Sequence, residues 1–290
     1  MSGEAVTISV CHDLAASSTL WARHTLWDEV AAQDHGNNRP AFSKDSYFDF
    51  DVNEMYKMET QRRTIAELVG SEELAAQYIG DQSSQLFLSR GHLAPNADFL
   101  FYSWMDSTFH FINVAPQWQS FNGRNWGTFE ANCREFAVER ELDLVVYTGT
   151  SGQLELPDTA GRPVPIHLYP AQARLPVPRY YWKILLDPLA GAGVAVIGIN
   201  NPHLVKIRIG YKLKHNLFLQ WIVLLFRLRL LPSWWSAPPC PTTRCWPWLT
   251  PPMSRRASCS PAGWRTPPPR CQSCLSCRPS SCSSKYQAEL

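Results

Sequence analysis

From Pro188 to Ala288 the chain carries no acidic residue, and this gap limits where a folded core can lie. Residues 1–205 hold 24 of the 25 acidic residues and 14 of the 27 basic ones, a net charge of −10. Residues 206–290 hold 13 basic residues and one acidic residue, a net charge of +12. Cysteine divides at the same place: Cys11 and Cys133 lie in the first part, and seven others fall between Cys240 and Cys282. Proline follows, with 12 of 23 between residues 232 and 282. So many prolines forbid sustained helices and interior strands. Two chemically different segments have been joined.

The first segment, residues 6–203, has the pattern of a globular α+β domain. Branched and alternating runs predict strands over Thr7–Cys11, Leu20–Trp27, Phe87–Leu88, Phe109–Val114, Leu142–Thr148, Tyr180–Leu186 and Val194–Ile199. A helix is expected over Tyr56–Leu74, with Gly70 as its weak point, and a second over residues 124–140. In the second, Trp126, Phe129, Cys133, Phe136 and Ala137 fall on one apolar face. Residues 204–290 form a basic tail rich in Pro, Ser and Cys, expected to be disordered or the product of a gene-model error, with Leu217–Leu231 as its one candidate helix. Cys271, Cys274 and Cys277 have zinc-like spacing, but no histidine follows His215. The apolar run Leu217–Phe226 is too short to span a bilayer, so no membrane partner is expected. The start of the chain lacks the basic and apolar regions of a signal peptide.

The chemistry is concentrated between Ser89 and Glu130. Ser89-Arg90-Gly91-His92 comes first, then Asn113-Val114-Ala115-Pro116-Gln117, then Asn122, Trp126 and Glu130 at intervals of four. A neutral imidazole takes a proton from water near pH 7, which makes His92 a candidate general base. Arg90 offers a planar fork of donors to phosphate oxygens. Asn122, where the second helix begins, reads either as an N-cap or as a neutral oxygen ligand for magnesium. Glu130 alone reads as a surface carboxylate.

Together these residues resemble the DNA/RNA non-specific endonuclease family, the ββα-metal nucleases that include endonuclease G and secreted bacterial enzymes. The family pattern is Asp-Arg-Gly-His, an Asn-x-x-Pro-Gln strand end, and Asn-x-x-x-Trp-x-x-x-Glu. This chain matches each part, except that Ser89 replaces the aspartate. Arg39-Pro40, the region of Gln61, Tyr147-Thr148-Gly149, Trp182-Lys183 and Asn200-Asn201-Pro202 look like the arthropod secreted branch. The resemblance implies a ββα-metal (His-Me finger) fold, with a mixed sheet, flanking helices and a non-globular C-terminal tail. It implies cleavage of DNA and RNA with little sequence preference. His92 would be the general base, Asn122 the ligand of one Mg2+ (or Mn2+), and Glu130 the group that orients the metal's waters. Arg90, Asn113 and Gln117 would meet the substrate, and Arg23 would correspond to a further family arginine. The resemblance implies secretion, with mitochondrial or nuclear placement as the alternative. A catalytically dead or truncated relative that only binds nucleic acid is the competing function.

Overall fold

The structure is a computed structural model that describes residues 7–33 and 39–204, together with the backbone of 221–229 and 285–289. The first two strands form a hairpin, β1 (Ser9–Asp13) and β2 (Ser18–Leu26). A short helix α1 (Val52–Met55) leads into α2 (Met58–Val69) and α3 (Glu72–Tyr78). The single helix expected over Tyr56–Leu74 is thus two. Gly70 takes a left-handed conformation (φ 74°) that ends α2, and the Ser71 hydroxyl then caps α3 by accepting from the Leu74 amide.

Next come β3 (Leu88–His92), α4 (Tyr102–Asp106) and β4 (Val114–Trp118). A π-helical turn over Phe121–Trp126 runs into α5 (Gly127–Arg140). The strand expected from Phe109 begins at Val114 instead, because Phe111–Asn113 form a 3-10 turn. Strand β5 (Leu144–Gln153) precedes two short hairpins, β6 (Glu155–Pro157) with β7 (Pro163–Pro165) and β8 (His167–Tyr169) with β9 (Arg174–Pro176). The body closes with β10 (Pro178–Asp187) and β11 (Ala192–Ile199). Two strands from the tail add to it, β12 (Trp221–Arg229) and β13 (Lys285–Glu289).

The large sheet has the order β12-β11-β10-β5-β2-β1-β13. Every neighbouring pair is antiparallel, where a mixed sheet was expected. The helix expected over 217–231 is replaced, across its described part, by β12 paired with β11. Trp, Ile, Val and Phe in that run favour strand, and β11 offers a free edge. The remaining calls on the tail, the late cysteines included, lie outside the described residues. No helix among the described residues is long and apolar enough to cross a membrane.

Helix α5 packs on the large sheet through Cys133 and Ala137, which meet Leu26, Leu144, Val146 and Leu185. Phe136, expected on this face, is 47% exposed. The separate two-stranded sheet β3–β4 and α5 together make a ββα unit. The π turn at the head of α5 buries Phe121 and Trp126, whose rings meet Tyr181 of β10. Gly198 on β11 keeps these rings in place: a Cβ there would lie 2.5 Å from the Phe121 ring.

Strand β3 is fastened to α2 by one side chain. Gln61 is fully buried, and its amide donates to the carbonyls of Tyr56 (2.9 Å) and Leu88 (2.8 Å). Its oxygen accepts from the Leu88 amide at 2.8 Å. Replacing it with leucine orphans these three backbone groups. Each buried polar group left without a partner costs about 1–3 kcal/mol. We expect Gln61→Leu to lower the melting temperature by roughly 6 °C or more, at about 2–4 °C per kcal/mol for a domain this size. Calorimetry showing a shift below 1 °C would contradict this role for Gln61.

Candidate active site

Strand β3 places Arg90 and His92 on one face and Ser89 and Gly91 on the other, by the two-residue period of extended chain. Opposite them on β4, Ser89 pairs with Gln117, Gly91 with Ala115 and His92 with Val114. A Cβ on Gly91 would lie 2.6 Å from Cβ of Gln117, so the motif's glycine is required by close packing across the two strands.

The His92 ring lies between Phe42 and Phe109, each 5.3 Å away between ring centroids. Its Nε2 is buried and has no hydrogen-bond partner. Burial, helped by the nearby charge of Arg39, lowers its pKa to about 4, so the imidazole is neutral near pH 7. Residues 39–45 reach this position because Ser43 bridges to the segment around His110: its amide donates to the Phe109 carbonyl and its carbonyl accepts from the Phe111 amide.

Arg90 is enclosed by three rings, with Cζ 5.4 Å from the Phe42 centroid, 5.2 Å from Tyr56 and 5.6 Å from Phe111. One guanidinium nitrogen donates to Asn53 Oδ1 at 3.1 Å. The aromatic faces attract the cation and hold the fork in a single orientation. A cleft of about 360 Å³ opens alongside, lined by Ser89 and Arg90 with Tyr56, Lys57, Gln82 and Phe87.

Asn122 does not cap a helix. It sits inside the π turn, a feature that often marks functional sites, and its Nδ2 donates to Ser89 Oγ at 3.0 Å. Glu130, two turns on, is no surface group. Its side chain is 14% exposed, and burial raises its pKa to about 7 against the pull of Lys183. The Lys183 ammonium, 1% exposed, lies 3.4 Å from Glu130 Oε1, donates to Thr148 Oγ1 at 2.7 Å, and stands 5.7 Å from the Trp126 ring centroid. Nearby, Asp98 accepts from His24 Nε2 and Arg134 Nη1, both at 2.9 Å.

The other expected site residues divide. Asn113 is fully buried and tied to the chain just past His92: its oxygen accepts from the Ala94 amide, and its nitrogen donates to the carbonyls of Ala94 and Thr108. Gln117 is fully buried beneath Gly91. Both side chains expected to meet the substrate are therefore buried in this structure. Arg23 stands over Tyr147 on the large sheet, 6.0 Å from its ring centroid. The arginine near His92 is Arg39. Its sequence signal, the Arg39-Pro40 pair, carried no assigned chemistry. Among the described residues, the one acidic trio close enough to hold an ion is Asp28, Glu29 and Asp143. It includes none of the motif residues and lies largely exposed at a turn where Asp143 accepts from the Asp28 amide.

A salivary endonuclease of Lutzomyia longipalpis is 29% identical over 194 residues, 67% of this chain and 45% of that protein. A nuclease of Syncephalastrum racemosum is 37% identical over 117 residues, 37% of this chain and 35% of that protein. The chain thus spans less than half the length of these relatives. Among solved structures, the crystal structure of the EndoG/EndoGI complex aligns with 69% of this chain and 74% of that one, at 19% identity and a TM-score of 0.43. The profile of the DNA/RNA non-specific endonuclease family matches residues 4–217, and the chain belongs to that family.

Proposed function

We propose that this chain is a metal-dependent endonuclease that hydrolyses phosphodiester bonds of DNA and RNA with little regard to sequence. The observation that carries the reading is His92: a neutral imidazole with an unpartnered Nε2, on the strand that also presents the caged fork of Arg90. Nε2 takes a proton from the attacking water. Arg90, and Arg39 on the strap beside His92, bind the phosphate oxygens. Departure of a 3′-oxygen needs no 2′-hydroxyl, so both sugars serve. Groups that read phosphate rather than base edges impose weak sequence preference.

The donor set suits a hard divalent cation. Asn122 Oδ1 has no protein donor among the described residues, while its amide nitrogen is already engaged by Ser89. An amide oxygen with a carboxylate on the same helical segment matches a metal that keeps most of its waters. Asn122 would hold Mg2+, or Mn2+ in its place, with Glu130 oriented toward those waters. When bound, the cation supplies charge neutralisation at the phosphate and the leaving oxygen. The body's net charge of −10 does not oppose substrate binding locally. Lys57 and Arg90 line the cleft, and Arg124 lies two residues past Asn122. The salivary source named for the Lutzomyia relative extends the proposal to a protein that acts outside the cell.

His92→Ala is expected to slow cleavage of plasmid DNA and of RNA by about 10²–10⁴-fold, the usual contribution of a general base. Binding to both should persist in gel-shift assays. Near-parental cleavage would refute the assignment.

A second expectation concerns pH. Glu130 faces Lys183 from β10, Asp98 from the turn after β3, and Arg134 from its own helix. Its carboxylate form is the useful one, and burial has raised its pKa to about 7, whereas His92 titrates at about 4. Activity should therefore fall as pH drops through the Glu130 value. Lys183→Met removes the charge that opposes the shift, so the acid limb of the pH–rate profile should move to higher pH. An unmoved limb would exclude Glu130 as the group responsible.

A further inference from the structure

We propose that Ser89 is the positioning residue that fixes which end of the Asn122 amide faces the metal, an inference that rests on the reading of Asn122 as the metal's ligand. A side-chain amide can sit either way round, with its oxygen or its nitrogen toward Ser89. Only the oxygen binds a cation. The choice is made by a chain of two hydrogen bonds. Ser89 Oγ donates its single proton to the Gln117 carbonyl at 3.0 Å. Having no second proton, the hydroxyl can only accept from any other neighbour. The group that meets it at 3.0 Å must therefore be the Asn122 NH2, and Nδ2 donates there. Turning the amide over would set an amide oxygen against a hydroxyl oxygen with no hydrogen between them. Oδ1 is thereby kept out of the Ser89 contact and left without any protein donor among the described residues.

The arrangement explains why serine can stand where the family pattern has aspartate. A carboxylate has only acceptors to offer, so it selects the same amide orientation. Serine reaches that state by donating its one hydrogen bond to a backbone carbonyl of the neighbouring strand. The register that pairs Ser89 with Gln117 is what puts this carbonyl in reach. Ser89 acts through Asn122 and does not itself contact a reacting atom.

The test is Mn2+ binding to the full chain without nucleic acid, followed by the electron paramagnetic resonance signal of the free ion. Asn122→Ala is the reference and should abolish the site. Ser89→Ala should weaken Mn2+ binding by about tenfold or more, within the range typical of partners that orient a metal ligand. Ser89→Asp keeps the acceptor toward Asn122 but loses the donation to Gln117, and should bind Mn2+ within threefold of the parent or more tightly. Parental affinity in Ser89→Ala, with binding lost in Asn122→Ala, would overturn the inference alone. Ser89→Asp failing as Ser89→Ala does would also overturn it, since the bond to Gln117 would then be what matters. Unchanged affinity in Asn122→Ala would overturn the ligand assignment itself. Thermal melts of the same samples identify any variant that has lost its fold, and Ser89→Asp carries the test if Ser89→Ala proves unstable.

Discussion

A lysine is buried under helix α5, and much of the site's geometry follows from the need to accommodate it. Lys183 lies on the core face of β10 between Tyr181 and Leu185, where strand alternation sends every second side chain inward. A buried ammonium without partners is several kcal/mol out of balance. Here it has Thr148 from the adjacent strand, the face of Trp126 and the carboxylate of Glu130. Two of these three belong to the segment from Phe121 to Arg140. The helix can therefore dock on the sheet in few registers other than the one that brings Glu130 over the lysine. Asp98, held below the usual carboxylate range by His24, Lys183 and Arg134 despite its burial, fastens α5 a second time, one turn further on. With the helix fixed to the sheet, the π turn at its head is fixed as well, and so is Asn122.

The sequence was informative wherever local chemistry decides the outcome. The spacing of Asn122, Trp126 and Glu130 is a helical repeat, and Glu130 lies on α5, with Asn122 and Trp126 in the π turn that runs into it. The triplet Arg90-Gly91-His92 lies on one strand, so its internal arrangement follows from extended geometry alone. What depended on long-range packing was not visible. Nothing near Asn113 or Gln117 announces that their amides are buried rather than presented to a substrate. Glu130 looks like a solvated charge until β10, over fifty residues later, supplies Lys183 beneath it. Arg39 is as far from His92 in the other direction and reaches it only because Ser43 pairs with the segment around His110. The helix expected in the tail failed for a related reason: an aliphatic run without proline suits either helix or strand, and the open edge of β11 decided between them.

Burial acts on the two titrating groups of the proposed site in opposite directions, and the placement of two cations decides how far each shift goes. Desolvation penalises whichever form is charged. For His92 the charged form is the protonated one, so burial among Phe42 and Phe109 drives the pKa to about 4 and leaves a free base. For Glu130 the charged form is the deprotonated one, so the same desolvation drives the pKa up to about 7. A site that relied on burial alone would therefore prepare its base and disable its carboxylate together. The buried lysine breaks that link. It acts on Glu130, where its charge favours ionisation, and it does not figure among the charges acting on His92, where Arg39 pushes further toward the neutral base. Above about pH 7 the protein thus holds an uncharged His92 imidazole and an ionised Glu130 carboxylate together, and the two cations are placed so that each favours the form that the proposed chemistry requires.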